Sequence, residues 1–259
     1  MNEADIIQSL HDLPLGGLRF FDQTGSTNDV ALAWAADGAP DLSLVCAEEQ
    51  TAARGRGSHR WFSPSDSALS FSLIFHPLLK EKLFIQLFSG LGALGVCEAL
   101  QSYGLDAQIK WPNDVLLRSA KVCGVLAEAI WMGDEIDTVV LGVGVNVTPP
   151  SVPLLDQLDY PATCIEAHTT TSVDRPKLLR DILVSLLLWR DQLTSSQFLI
   201  EWEKRLAFRG ETVRVMQGNG YSVTGTLVGL EPDGSLRLFP EGGDPIIVTF
   251  GEAHLRLVV

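Results

Sequence analysis

The sequence predicts an α+β protein in two parts: a larger part of mixed strands and helices over residues 1–210, and a small all-β unit over 211–259. Three observations predict it. Apolar strand-like runs alternate with segments of helical period as far as Leu206, and Leu178, Leu179, Ile182, Leu183, Leu186 and Leu187 repeat at helical spacing. From Glu211 onward the texture changes to short strands separated by Gly, Pro, Asn and Asp turns. At 259 residues, 46% hydrophobic and 20% charged, the chain can bury one good-sized core or two.

In chain order, residues 6–10 predict a short helix and Leu18-Arg19-Phe20-Phe21 a strand. Thr24-Gly25-Ser26-Thr27-Asn28-Asp29 then precedes an apolar period of Val30, Ala31, Trp34 and Ala35 closed by Gly38, so a helix starts with Ser26 or Thr27 as its cap. These hydroxyls either only cap the helix or also offer N–H and O–H groups to a polar ligand. Residues 42–47 form a buried strand delivering Glu48, Glu49 and Gln50, and residues 68–75 alternate apolar with small polar residues, a half-buried strand. Leu83 to Tyr103 is a helix whose Gly90, Gly92 and Gly95 allow close approach to the sheet.

Between those two strands lies Thr51-Ala52-Ala53-Arg54-Gly55-Arg56-Gly57-Ser58-His59-Arg60-Trp61-Phe62-Ser63-Pro64. The first 60 residues hold four Lys or Arg against nine carboxylates, and three of the four fall within this loop. Arginines alternating with glycines let N–H groups and guanidinium forks converge on an anion, although a solvated turn would have the same composition. The formal net charge of −13 opposes binding to nucleic acid or anionic lipid over most of the surface. A local basic loop on that background suits a small anionic ligand.

A second dense motif is Ile109-Lys110-Trp111-Pro112-Asn113-Asp114-Val115-Leu116-Leu117, where Pro112 breaks the strand and Asn113-Asp114 make a turn. Lys121 opens an apolar strand over 122–130, Met132-Gly133-Asp134-Glu135 makes a hairpin, and residues 138–147 return with Gly142, Gly144 and Asn146. Read alone, Lys121 fits a solvated hairpin and Gly142-x-Gly144 fits close backbone packing. Residues 148–173 form a connection with one short helix, Asp174-Arg175-Pro176 caps the next helix, and Phe198 to Leu206 forms another. The final strands cover 212–215, 221–230, 235–239 and 246–250, with turns at Gly218-Asn219-Gly220, Pro232-Asp233-Gly234 and Glu241-Gly242-Gly243-Asp244. Cys46, Cys97, Cys123 and Cys164 form no Cys-x-x-Cys pair and read as reduced core residues. No signal peptide or membrane span is legible, which places the protein in the cytoplasm.

Taken together, the loop, the Lys110-Trp111-Pro112-Asn113-Asp114 turn, Lys121 and the Gly142-x-Gly144-x-Asn146 strand resemble the biotin–protein ligases from Phe20 to Val259. The family loop reads roughly Gln-Thr-Ala-Gly-Arg-Gly-Arg-x-Gly-Arg-x-Trp; here Ala53 replaces a glycine and Ser58-His59 replace Gly-Arg, changes that would restrict the backbone and remove a charge. The resemblance implies a mixed central β-sheet flanked by helices, the class II aminoacyl-tRNA synthetase-like or biotin–lipoate ligase fold, with a small C-terminal SH3-like β-barrel. It implies that biotin and Mg-ATP give biotinyl-AMP, which then biotinylates a lysine of a biotin carboxyl carrier protein.

By the same resemblance Lys121 and Arg56 are catalytic. Ser26, Thr27, Gln50, Arg54, Lys121, Gly124 and Gly142 bind biotin, the two glycines leaving room for its valeryl chain. Arg54, Arg56, Arg60, Trp61, Asn113, Asp114, Lys121 and Asn146 bind ATP, Trp61 stacking near the adenine, and Asn113 and Asp114 also hold Mg2+. The loop is expected to order over the adenylate. Only about 18 residues precede the first strand, too few for the helix-turn-helix domain of family members that also act as repressors, so the monofunctional form is expected, with no nucleic-acid or membrane partner and with a homodimer through sheet edges. A lipoate or octanoate ligase or transferase of the same fold, and a non-catalytic biotin- or nucleotide-binding protein, are the alternatives.

Overall fold

The computed structural model describes residues 1–57, 59–154, 160–216, 221–249 and 254–257. Strands β1 (Gly17–Thr24), β2 (Ser43–Gln50), β3 (Ala68–Phe75), β4 (Gln108–Lys110), β5 (Asp114–Leu117), β6 (Ala120–Met132) and β7 (Glu135–Asn146) form one sheet in the order β1-β2-β3-β7-β6-β5-β4. β1 and β2 run parallel through helix α2 (Thr27–Ala36), while every other neighbour is antiparallel, so the sheet is mixed as expected.

Side chains alternate across a strand, and here the alternation assigns the two faces different work. One face carries Phe71, Leu73, Val125, Leu141 and Val143 and packs in the main core with α3 (Leu87–Gln101) and α4 (Arg175–Arg190). The opposite face carries Ser70, Ser72, Gly124, Gly142 and Gly144; directly paired Gly124 and Gly144 leave a shallow floor there. Helix α2 covers the neighbouring part of that face through Ala31 and Ala35, against Val45, Ile74 and Val140. β3 is therefore buried along its whole length rather than half-buried. Its serines satisfy each other's neighbourhood instead of facing water: the Ser70 and Ser63 hydroxyls lie 2.7 Å apart, and Ser72 donates to Asn28 Oδ1 at 2.6 Å.

The helix expected from Leu83 begins as a 3-10 turn at Lys82–Phe84, and the α-helix starts at Leu87. Of its glycines, only Gly92 meets the sheet: a Cβ there would come 2.8 Å from Val125, whereas Gly90 faces Trp202 and Gly95 faces Leu186. Helix α1 (Glu3–Leu10) has a capping box between Asn2 and Asp5 and buries Ile6 and Leu10. The 148–173 connection contains 3-10 turns at Pro149–Ser151 and Ile165–Ala167. Asp174 caps α4 through Lys177 N, and Ser195 caps α5 (Ser196–Lys204) through Phe198 N.

A second, five-stranded antiparallel sheet follows, formed by β8 (Thr212–Met216), β9 (Ser222–Leu230), β10 (Leu236–Phe239), β11 (Ile246–Val248) and β12 (His254–Leu257) in the order β11-β10-β9-β8-β12. It fits the small SH3-like unit. β12, which pairs antiparallel with β8, was not among the expected strands. The Gly218-Asn219-Gly220 turn and Phe250 lie outside the described residues. Trp111 donates its indole N–H to Gly234 O at 3.0 Å and Leu230 N donates to Glu203 Oε1 at 2.6 Å, so the second sheet is pinned to the first and to α5.

A buried ion pair fixes the far end of the sheet. Arg190 Nε donates to Glu81 Oε1 at 3.0 Å and its Nη2 to His76 O, with the guanidinium over the Phe75 ring. Glu81 is 1% exposed. Arg190→Ala leaves that carboxylate uncompensated and is expected to destabilise the fold by about 3–5 kcal/mol, read by urea unfolding; a loss within the range of a surface substitution would contradict this role. Among the described residues no helix is long and apolar enough to cross a membrane.

Candidate active site

A cavity of about 460 Å³ opens over the glycine floor, between the 51–64 loop, the 110–114 turn and the neighbouring ends of β6 and β7. Every residue expected to act is on its wall: Ser26, Thr27 and Gln50 at one end; Arg54, Arg56, Arg60 and Trp61 from the loop; Asn113, Asp114 and Lys121 from the turn and β6; and Gly124, Gly142 and Asn146 from the floor. Residues separated by more than a hundred positions thus meet because β3, β7, β6 and β5 are neighbours.

The cationic end is built on one carboxylate. Lys121 Nζ lies 2.7 Å from Asp114 Oδ1 and Lys110 Nζ 3.6 Å from Asp114 Oδ2, while Arg56 Nη1 donates to Asn113 Oδ1 at 3.5 Å. Burial pushes the Asp114 carboxyl up, but Lys121, then Lys110, the Lys121 hydrogen bond and Arg56 together hold it below the usual carboxylate range. Two lysines and an arginine around one Asp leave a net positive site in a chain of net charge −13. Lys110, buried and over the Tyr160 ring at 4.4 Å, was not among the expected site residues. Its proximity to the Pro112 turn was the available signal.

The polar end is a hydrogen-bond chain. Gln50 Oε1 accepts from Thr27 N at 2.7 Å and lies 3.1 Å from Thr27 Oγ1, which leaves Nε2 to donate to a ligand. Ser26 caps α2 through Asp29 N at 3.5 Å. Asn28, also not among the expected site residues, is buried and occupies the space above Gly142: a Cβ there would stand 2.1 Å from Asn28 Oδ1. Gly142 therefore makes room for Asn28 while it also lines the cavity. Gly142→Ala is expected to cost about 1–3 kcal/mol in urea unfolding and to disturb the Gln50 end; a fully stable variant would show that Asn28 can move aside.

Trp61 lies on the floor, its ring within 2.4 Å of where a Gly144 Cβ would be and 5.7 Å from Lys121 Nζ. Its buried Nε1 has no hydrogen-bond partner among the described residues. Asn146 Nδ2 donates to Thr163 O at 3.0 Å. The loop folds back on itself: Gly55 N donates to His59 O at 2.8 Å and Trp61 N to Ala53 O at 3.0 Å. Gly57 has φ +61°, whereas Ala53 is not among the positive-φ residues, so an L side chain fits there without strain. Ser58 lies outside the described residues.

Arg54 lines the cavity with its side chain held by two carboxylates. Its guanidinium donates to Glu128 Oε1 at 2.8 Å and Oε2 at 3.1 Å and to Asp29 Oδ1, so its charge is already matched by carboxylates. At the turn, Asp114 faces Lys121 and Lys110, and Asn113 Nδ2 donates to Val125 O at 2.7 Å.

Residues 20–146 match the model of the biotin/lipoate A/B protein ligase family. The chain is 32% identical to the biotin–[acetyl-CoA-carboxylase] ligase of Mycobacterium tuberculosis over 96% of its own length and 95% of that protein. It is 31% identical to the bifunctional ligase/repressor BirA of Bacillus spizizenii over 94% of its length and 76% of that protein. The solved biotin protein ligase of Aquifex aeolicus in complex with biotin and ATP superposes with a TM-score of 0.81 at 26% identity, covering 93% of this chain and 99% of that one. The chain belongs to the biotin/lipoate A/B protein ligase family. Within that family it is a biotin–protein ligase.

Proposed function

We propose that the cavity activates biotin with ATP and passes the biotinyl group to a lysine of a biotin carboxyl carrier protein. The observation that carries this is the meeting of Arg56, Lys121 and the Gln50–Thr27 polar end around one cavity. A biotin carboxylate oxygen attacks the α-phosphorus of ATP, forming the mixed anhydride biotinyl-5'-AMP and breaking the bond to pyrophosphate. Two anions approach in that step, and Lys121 and Arg56 supply fixed positive charge where it develops. The acceptor lysine amine then attacks the acyl carbon, AMP leaves, and the amine loses a proton.

Gln50 Nε2 and the Ser26–Thr27 helix start meet the ureido ring, with the chain running over Gly124. Arg60, Trp61, Asn113 and Asn146 line the nucleotide side. Asp114 holds Lys121 and Lys110 in place for the phosphate, and a magnesium ion bound to the ATP phosphates beside Asn113 and Asp114 would supply further charge neutralisation. The loop over 51–64 excludes water from the anhydride, the side reaction the site must avoid. We assign residues 1–210 to the catalytic part and 211–259 to the small barrel, place the protein in the cytoplasm on its four free, buried cysteines, and expect a homodimer through a sheet edge.

ATP–pyrophosphate exchange tests the reading: exchange driven by biotin and not by lipoate is expected. Exchange with lipoate alone would move the chain to the lipoate branch, and biotin binding without exchange would make it a binding protein.

A further inference from the structure

The geometry points to Glu128 as a positioning residue that ties closure of the 51–64 loop to the polar end of the cavity; the inference rests on the reading of the site as one that forms and holds an acyl-adenylate. Glu128 stands on the floor face of β6, paired with Val140, beyond the cavity itself. Its Oε1 accepts from Arg54 Nη1 at 2.8 Å. Its Oε2 accepts from Arg54 Nη2 at 3.1 Å and from Asn28 Nδ2 at 2.7 Å. One carboxylate therefore holds a loop arginine and a buried amide of α2 together.

The chain of contacts continues without a gap. Asn28 Oδ1 accepts from the Ser72 hydroxyl at 2.6 Å, the Ser72 oxygen accepts in turn from the Thr27 hydroxyl 2.8 Å away, and the Thr27 backbone N–H donates to Gln50 Oε1 at 2.7 Å. The loop guanidinium and the amide expected to read the ligand are the two ends of one network. An exposed ion pair would contribute little. Here Glu128 is only 24% exposed, and its second oxygen also anchors an amide that is 4% exposed.

Both oxygens must accept, and this is what makes the carboxylate irreplaceable by its amide. In Glu128→Gln the side-chain shape is kept, but whichever way the amide turns, its NH2 group opposes an N–H of Arg54 or of Asn28. Asp29, which also accepts from Arg54, retains part of the hold, so the variant loosens the loop rather than unfolding the protein.

The test uses the full chain without ligand, with trypsin as the probe, since Arg56 and Arg60 lie in the loop. Glu128→Gln and Arg54→Ala are each expected to speed cleavage at these sites by about tenfold, and the double variant by no more than either one, because they break the same contact. Unchanged cleavage in Glu128→Gln, or effects that multiply in the double variant, would overturn the inference. A thermal melt of each variant separates loosening of the loop from loss of the fold. In the same variants, retention of biotinyl-AMP should fall in step with the cleavage rate; intact retention beside faster cleavage would also overturn the link to the site. If the unaltered protein forms no adenylate, the catalytic reading fails, while the cleavage results still decide the contact.

Discussion

Lys121→Ala is expected to lower biotin-dependent ATP–pyrophosphate exchange by about 10²–10³-fold, the scale for removing one fixed charge or donor from a developing oxyanion. The argument starts from Asp114. That carboxylate is only 14% exposed, and Lys121 at 2.7 Å is its nearest cation, so the lysine is held in one place before substrate arrives. A preset cation stabilises the charge that builds as the carboxylate reaches the α-phosphate, without reorganising at that moment. A wild-type exchange rate in the variant would remove Lys121 from the mechanism.

The same substitution carries a pH signature. The Asp114 carboxyl lies below its ordinary value in the folded protein, so the stability it contributes is present above the unfolded value and is lost as pH falls through the folded one. Without Lys121, burial is opposed by Lys110 and Arg56 alone, and the carboxyl pKa rises. Thermal melts over about pH 3 to 6 should therefore show the variant losing stability at a higher pH than the unaltered protein. Coincident curves would contradict the pairing.

Arg56→Gly should act on retention more than on formation. Arg56 stands on the loop and reaches Asn113 Oδ1 across the cavity, so its guanidinium bridges the cover and the wall where the nucleotide phosphate would lie. Losing a charge-assisted contact of roughly 1.5–3 kcal/mol should shorten the residence of biotinyl-AMP by about 10–100-fold. The escaping anhydride would label lysines of unrelated proteins, seen as indiscriminate biotinylation of an added bystander. Undiminished retention in a trapping assay, with no bystander labelling, would argue that Arg56 does not hold the adenylate.

Much of this architecture was legible in the residues. The alternation along β3, the apolar runs of β6 and β7, the capped start of α2 and the changed texture after Glu211 mark elements the structure contains. The loop and the Lys-Trp-Pro-Asn-Asp turn were legible as chemistry because basic groups are scarce around them. What was hidden depends on pairing across long separations. Nothing local shows that Asn28 fills the space above Gly142, since the contact exists only once α2 lies over β7. Arg54 reads as an anion clamp in its loop, yet Glu128, 74 positions away, takes its charge. The lysines at the two oxygens of Asp114 come together only because β4 and β6 carry Lys110 and Lys121 to it. β3 reads as half-buried because its serines are polar, and only the network around Ser72 explains their burial.

The central claim is that a loop cation and a strand lysine serve one slot where biotin becomes an acyl donor. Mass spectrometry of a biotin carboxyl carrier domain after incubation with the protein, biotin and Mg-ATP tests it most directly. One biotinyl group on one specific lysine is predicted, dependent on both biotin and ATP and lost in Lys121→Ala. An unmodified carrier, or labelling that persists without Lys121, would contradict the account.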